Sequence, residues 1–283
     1  MTISEVFNMK RAVTIQDISC FGKCSLTVAL PIISAMGVEC AVIPTAVLST
    51  HTGGFTGYTF RDLSSDIPKI AEHWKSEGLS FDGVYTGYLG SPEQAEMISG
   101  FIDEFKPGLV FVDPAMADNG VLYPGFDKNI VLAMKKLCGK ADIIVPNITE
   151  ATLMLGEEYK NPGEYDEAYI HDILRKLTGL GTPIAAISGV MYDDKKQGIV
   201  VYDSRNEEFI EYFGENLPVR CHGTGDVFAS AMFAALLRGK SIFDAEKIAV
   251  EFTIDCIRHT IGDESHWYGV KFEECIPGLV KML

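Results

Sequence analysis

Arg220-Cys221-His222-Gly223-Thr224-Gly225-Asp226, followed without a break by the apolar, alanine-rich run Val227–Leu237, is the stretch from which the rest of the chain can be read. A Gly-Thr-Gly turn here opens a helix. Gly223 and Gly225 carry no side chain, so an anion can approach the free N–H groups of the first helical turn, where the helix dipole also favours negative charge. Asp226 is the odd member of the group. A carboxylate beside a phosphate site adds repulsion unless it has a task, such as taking the proton of an attacking hydroxyl. The combination reads as phosphoryl transfer to an alcohol. Aspartate is also favoured in the first turn of any helix, so the motif needs support from the rest of the chain.

Outward from this turn the pattern is a regular alternation. Ala12–Gln16 reads as a strand and Asp17–Lys23 as a loop, with a helix over Ser25–Met36 and a second strand at Cys40–Thr45. Helices are predicted over 65–77, 91–105, 125–138, 149–155 and 164–177, with strands at 82–86, 108–113 and 141–145 between them. Three strands then follow with only turns between them, at 184–188, 198–202 and 209–213, and read as an antiparallel sheet edge. Helices over 226–238 and 242–259 complete the body, and the segment from His266 to Leu283 is left unassigned. Repeated strand–helix units predict a single α/β domain: a mostly parallel central sheet, helices on both faces, antiparallel edge strands, and ligands at the carboxyl ends of the strands. Residues 1–9 read as a disordered extension ahead of a domain spanning 10–283.

Composition narrows the function. With 24 basic and 39 acidic residues the net charge is −15, which argues against nucleic-acid backbones and anionic membranes as partners. A nucleotide remains compatible, because helix N-termini and a divalent metal can build a local exception. The seven scattered cysteines match neither a disulfide framework nor a paired zinc set and point to a reducing cytoplasm. Val227–Leu237, the longest apolar run, is too short to span a bilayer.

Most polar loops fall directly after predicted strands. Asp113-Pro114-Ala115-Met116-Ala117-Asp118 sets two carboxylates across a turn, suited to a hard cation such as Mg²⁺ but also ordinary for turn aspartates. Asn147-Ile148-Thr149-Glu150 is either a ligand pair or a helix-capping arrangement. Tyr88, between Gly87 and Gly90, could stack on a planar ligand. His51 is a weak candidate for a base. Three acidic loops beside a phosphate-type turn favour a metal–nucleotide site.

Thr14-Ile15-Gln16 with its following loop, Leu48-Ser49-Thr50-His51-Thr52-Gly53, Gly87-Tyr88-Leu89-Gly90-Ser91, Asp113-Pro114, Pro146-Asn147 with Glu150, and Gly223-Thr224-Gly225-Asp226 occur in the order found in one known family. Over nearly its whole length the chain resembles the pyridoxal/pyridoxamine kinases of the ribokinase-like superfamily. The resemblance implies ATP-dependent phosphorylation of the 5′-hydroxymethyl group of a vitamin B6 vitamer in pyridoxal 5′-phosphate salvage, with Mg²⁺ assisting, room for a monovalent cation, and a homodimer. It gives Asp226 the role of base and Gly223, Thr224 and Gly225 that of anion hole. Asp113, Asn147, Glu150 and Ser188 fall on the nucleotide side, Asp113, Asp118 and Glu150 near the metal, and Asp17, Thr45 and Tyr88 around the pyridine ring. Two departures stand out. Asp17 replaces a serine common in the family, and Ala117 replaces a glycine. A carboxylate at position 17 could pair with a protonated pyridine nitrogen or with the amino-pyrimidine edge of hydroxymethylpyrimidine. A hydroxymethylpyrimidine kinase of thiamine synthesis is therefore the rival within enzymes, although those kinases often carry cysteine where Asp226 stands. A catalytically silent vitamer-binding protein is the rival of another class.

Overall fold

The computed structural model describes residues 9–217 and 219–283. Residues 1–8 of the expected extension lie outside the described residues, and Met9 is exposed. In chain order the elements are β1 (Arg11–Ser19), α1 (Leu26–Ala35), β2 (Glu39–Leu48), β3 (Phe60–Asp62), α2 (Ile67–Ser76), β4 (Gly83–Thr86), α3 (Pro92–Phe105) and β5 (Leu109–Val112). A small hairpin, β6 (Ala117–Asp118) and β7 (Val121–Leu122), precedes α4 (Lys128–Cys138), β8 (Ile143–Ile144), α5 (Ile148–Leu155) and α6 (Glu167–Thr178). The chain then forms β9 (Ile184–Val190), β10 (Lys196–Asp203), β11 (Glu208–Glu215), α7 (Thr224–Leu237), α8 (Ile242–Thr260) and α9 (Phe272–Lys281).

Nine strands make one sheet in the order β11-β10-β9-β8-β5-β4-β1-β2-β3. Successive side chains on a strand point to opposite faces, and the core divides accordingly. Ala12, Tyr85 and Phe111 face α1, α7, α8 and α9, whereas Val13, Val84, Val110 and Val112 face α2 to α6. Helix α7 is apolar all round because it is buried nearly all round. The Phe233 ring lies tilted against Tyr85 at 5.6 Å and Phe111 at 5.7 Å, and the bare Cα of Gly83 lets this helix sit close to β4.

The expected architecture is present, with adjustments. Strand β9 pairs in parallel with β8 and antiparallel with β10, so it ends the parallel run instead of belonging to a wholly antiparallel edge. A second antiparallel edge, β3 against β2, is three exposed residues long and has no sequence pattern to announce it. The unassigned C-terminal segment contains α9, which buries Phe272, Cys275 and Leu279 on the α1–α7–α8 face despite Pro277 within it. Among the described residues no helix is long and apolar enough to cross a membrane.

Phe233→Ala is expected to cost about 3–5 kcal/mol, since its neighbours Tyr85 and Phe111 cannot collapse into the space. Chemical denaturation checks this as a lowered midpoint at unchanged slope.

Candidate active site

The carboxyl ends of β1, β4, β5, β8 and β9 open onto a cavity of about 680 Å³. Asp17, Tyr88, Asp113, Asp118, Asn147, Glu150, Ser188 and the turn Gly223–Asp226 all line it. Thr45 is the exception. It is buried and not among the lining residues: its hydroxyl donates to the Tyr88 carbonyl at 3.4 Å, and its own carbonyl accepts from Gln94 Nε2 at 3.0 Å. Thr45 thus supports the loop that carries Tyr88 and is not itself a wall. Tyr88 in turn stacks on Phe126, with ring centroids 5.3 Å apart.

Asp17 lies within β1, not in a loop after it. The register against β2 slips between Gln16 and Ile18, and such a bulge re-aims a side chain. Its carboxylate is buried and accepts from Ser19 Oγ at 2.9 Å. Burial raises the Asp17 pKa, and hydrogen bonds from the Ser25 and Ser19 hydroxyls oppose the rise.

The turn before α7 carries two glycines with different tasks. Gly223 has φ +77°, and a Cβ there would fall 1.6 Å from the Lys23 carbonyl oxygen, so only glycine fits. A Cβ on Gly225 would meet nothing within 4 Å. The first helical bond runs from the Val227 N–H to the Gly223 carbonyl at 3.0 Å. The N–H groups of Thr224, Gly225 and Asp226 therefore have no partner within the helix and are free to receive an anion. Asp226, in the same first turn, also lines the cavity. Burial pushes its carboxyl up to about 7, with the Asp17 charge adding and a hydrogen bond from the Ser25 backbone N–H opposing.

Glu150 resolves the double reading of its motif in favour of a strut. Asn147 and Glu150 cap the start of α5 reciprocally. Oε2 accepts from the Asn147 N–H at 2.9 Å, while Oε1 accepts from the Met116 N–H at 3.0 Å and the Ala117 N–H at 3.4 Å. This buried carboxylate holds the loop after β5 in place. Burial lifts its pKa to about 7 against those three hydrogen bonds. Asp113, with one hydrogen bond from the Ala115 backbone, is pushed well above the usual carboxylate range by burial and by the charges of Glu150 and Asp226.

No lysine or arginine is among the described residues lining the cavity, while Asp17, Asp113, Asp118, Glu150, Glu215 and Asp226 are. Adding nucleotide phosphates to these carboxylates demands a cation. Asp113, Asp118 and Glu150 do not gather into one ligand set among the described residues, so a hard divalent ion here would be held by single carboxylate oxygens together with the phosphates.

His51 has both ring nitrogens engaged. Nδ1 accepts from the Gly53 N–H at 3.1 Å, which assigns the proton to Nε2, 2.7 Å from the Tyr268 carbonyl. It ties the loop after β2 to the segment before α9 and is not placed as a base. Lining residues without a motif signal include Ser25 and Cys24 near Asp17, and Leu217, Val250, Thr253 and Ile254 beyond Ser188. An apolar stripe on α8 reads in sequence as core. Ser19 also lines the cavity and lies in the polar stretch after the first predicted strand, where ligands to such a sheet are expected.

A family model described as phosphomethylpyrimidine kinase matches residues 29–269. The chain belongs to this family. Among solved structures of the fold, a protein of Bacteroides thetaiotaomicron, named as a proposed phosphomethylpyrimidine kinase and crystallised with pyridoxal, is 36% identical with a TM-score of 0.90, covering 96% of each chain. The pyridoxal kinase of Lactobacillus plantarum is 30% identical with a TM-score of 0.89, covering 96% of this chain and 97% of that one. A thiamine biosynthetic bifunctional enzyme of Arabidopsis thaliana is 28% identical over 86% of this chain, which spans 47% of that protein's length. The ribokinase-like fold and a kinase of the phosphomethylpyrimidine/pyridoxal type are thereby established.

The crowded carboxyls of this family member link stability to pH. Asp17, Asp113, Glu150 and Asp226 all have raised pKa values in the folded protein, so the folded state retains protons that the unfolded chain has lost. For Glu150 and Asp226 the contribution to stability is full below the ordinary carboxyl value of about 4 and is lost as pH rises through about 7, and Asp17 and Asp113 act in the same direction. The melting temperature of the metal-free protein is expected to fall between about pH 5 and about pH 8, and Asp226→Asn to flatten the fall. A melting temperature that climbs across this window in differential scanning calorimetry would refute the assignment.

Proposed function

We propose that the chain is an ATP-dependent kinase that phosphorylates the 5′-hydroxymethyl group of a vitamin B6 vitamer. The observation that carries this reading is Asp226, a cavity-lining carboxyl lifted to about 7 in the first turn of α7, beside that helix's unpaired N–H groups. A group poised near neutrality can take the hydroxyl proton as the oxygen attacks the γ-phosphorus of ATP. The N–H groups of Thr224 and Gly225 receive the charge on the transferring phosphoryl group, which needs positioning and electrostatic stabilisation more than covalent help. Asp113 and Asp118 would hold Mg²⁺, which when bound offsets the charge of the nucleotide phosphates; Glu150 keeps their loop in register. Asn147 and Ser188 lie toward the nucleotide. Tyr88 offers a ring face to a planar heterocycle, and Asp17 an acceptor for a protonated ring nitrogen. The reading extends to a homodimer in the cytoplasm.

Two relatives of known structure favour a vitamer as substrate, one solved with pyridoxal and one named as a pyridoxal kinase. The second reading is a hydroxymethylpyrimidine kinase, favoured by the family description and by the ability of Asp17 to accept from an amino-pyrimidine edge. A silent binder would have no physical use for a carboxylate at the anion cradle.

ATP consumption with pyridoxal, pyridoxamine, pyridoxine and hydroxymethylpyrimidine, each offered separately with Mg²⁺, tests the reading. Turnover is expected with at least one vitamer and is expected to vanish with EDTA. Asp226→Asn should lose about 10²- to 10⁴-fold in kcat with vitamer binding largely kept. Turnover with hydroxymethylpyrimidine alone would transfer the protein to the second reading.

A further inference from the structure

Where α9 packs on α8, three side chains with metal-binding atoms converge. Asp255 and His259 stand four residues apart on α8 and so share one face. Cys275 comes from the start of α9. One ligand atom from each, a carboxylate oxygen, a ring nitrogen and the thiol sulfur, lies within 4.8 Å of the other two. Their burial is graded: Cys275 is 2% exposed, Asp255 half-buried and His259 exposed, so the group is reached from solvent on the histidine side. None of the three lines the cavity.

The surroundings leave this group available. His259 Nδ1 lies 2.9 Å from the Asp255 carbonyl oxygen and 3.5 Å from Asp255 Oδ1, which orients the ring along the shared face. Nearby cations are engaged elsewhere: Lys271 pairs with Asp263 and Arg258 with Glu215, each at 2.6 Å. Among the described residues His259 is thus the one ion-pair partner of Asp255. On α9, a Cβ at Gly278 would meet only Asp255 Oδ2, at 3.8 Å. The space between the two helices is open at that point, with room for an ion and a water.

We propose that Asp255, His259 and Cys275 form a binding site for a zinc-class divalent cation that staples α9 to α8. Thiolate sulfur and imidazole nitrogen favour such an ion over Mg²⁺, which keeps to oxygen ligands. Three protein ligands leave the fourth tetrahedral position to water. No spacing in the sequence announces the site, because its ligands come from two helices. Both helices reach the cavity from here. Thr253 and Ile257 of α8 line it, and Glu273 of α9 pairs with Lys23, whose carbonyl packs against Gly223. A loaded site therefore braces one cavity wall and the turn before α7, whichever alcohol is phosphorylated.

Titration of the full chain with Co²⁺, a spectroscopic stand-in for Zn²⁺, under a non-thiol reductant tests the site. The wild type is expected to show a thiolate-to-metal absorption band in the near ultraviolet, which the oxygen ligands of the cavity carboxylates cannot produce. The band should disappear in Cys275→Ser and should need at least about tenfold more metal in His259→Ala. Because His259 is exposed, that variant decides the matter even where Cys275→Ser does not fold. Zn²⁺ should also raise the melting temperature of the wild type more than that of His259→Ala. A wild type without the band, a band that persists in folded Cys275→Ser and so belongs to another thiol, or equal metal affinity and equal Zn²⁺-induced melting shifts in the wild type and His259→Ala would each overturn the proposal.

Discussion

Where a side chain on Gly223 would begin, the carbonyl oxygen of Lys23 already sits. This contact fixes the distance between the loop that ends β1 and the turn that begins α7. On one side of it hang Asp17, Ser19 and Ser25; on the other, the N–H cradle and Asp226. Gly269 closes the same knot from the C-terminal side, because the Lys23 stem fills the space above it. Three segments far apart in sequence therefore meet through two absent side chains. Neither the carboxyl pair nor the cradle has a defined geometry without that meeting.

The second organising force is repulsion. Folding gathers Asp17, Asp113, Asp118, Glu150, Glu215 and Asp226 around one cavity whose described lining holds no lysine or arginine. Packing of large apolar side chains on both faces of the sheet holds the arrangement together, and partial protonation relieves it. Glu150 shows how one member is accommodated: three backbone N–H groups surround its carboxylate, converting a buried charge into a loop anchor. Asp113 lacks that set of donors, and burial with the charges of Glu150 and Asp226 pushes its pKa well up.

Much of this was legible in the chain itself. Strand–helix alternation gave the parallel sheet because buried apolar runs and capped helices leave strong periodic marks, and α7 was visible as a helix apolar on every side. Three-residue β3 was not, since an exposed edge strand buries nothing, and α9 was hidden by Pro277. Of the cavity wall, residues next to glycine turns or at strand ends were legible: Asp113, Asn147, Asp226. Those whose function depends on a distant partner were missed or misplaced. Thr45 reads as a pocket residue until its hydrogen bond to the Tyr88 carbonyl is seen, and Ser25 reads as the first residue of a helix until its backbone angles are known. Asp17 was expected in a loop because a β-bulge has no signature in a single sequence.

The two glycines of the anion turn answer to different masters. At 223 a new side chain collides with backbone, so any replacement is removed by misfolding whatever the protein does. At 225 there is open space, and a replacement would leave the domain intact while, on the proposed mechanism, crowding the N–H groups that would receive the phosphoryl. A lineage released from catalysis could therefore lose the second glycine freely and still retain the first. Among descendants of this fold, the residue at 225 is thus a record of whether phosphate binding is still under selection, while the residue at 223 records only that the chain still folds.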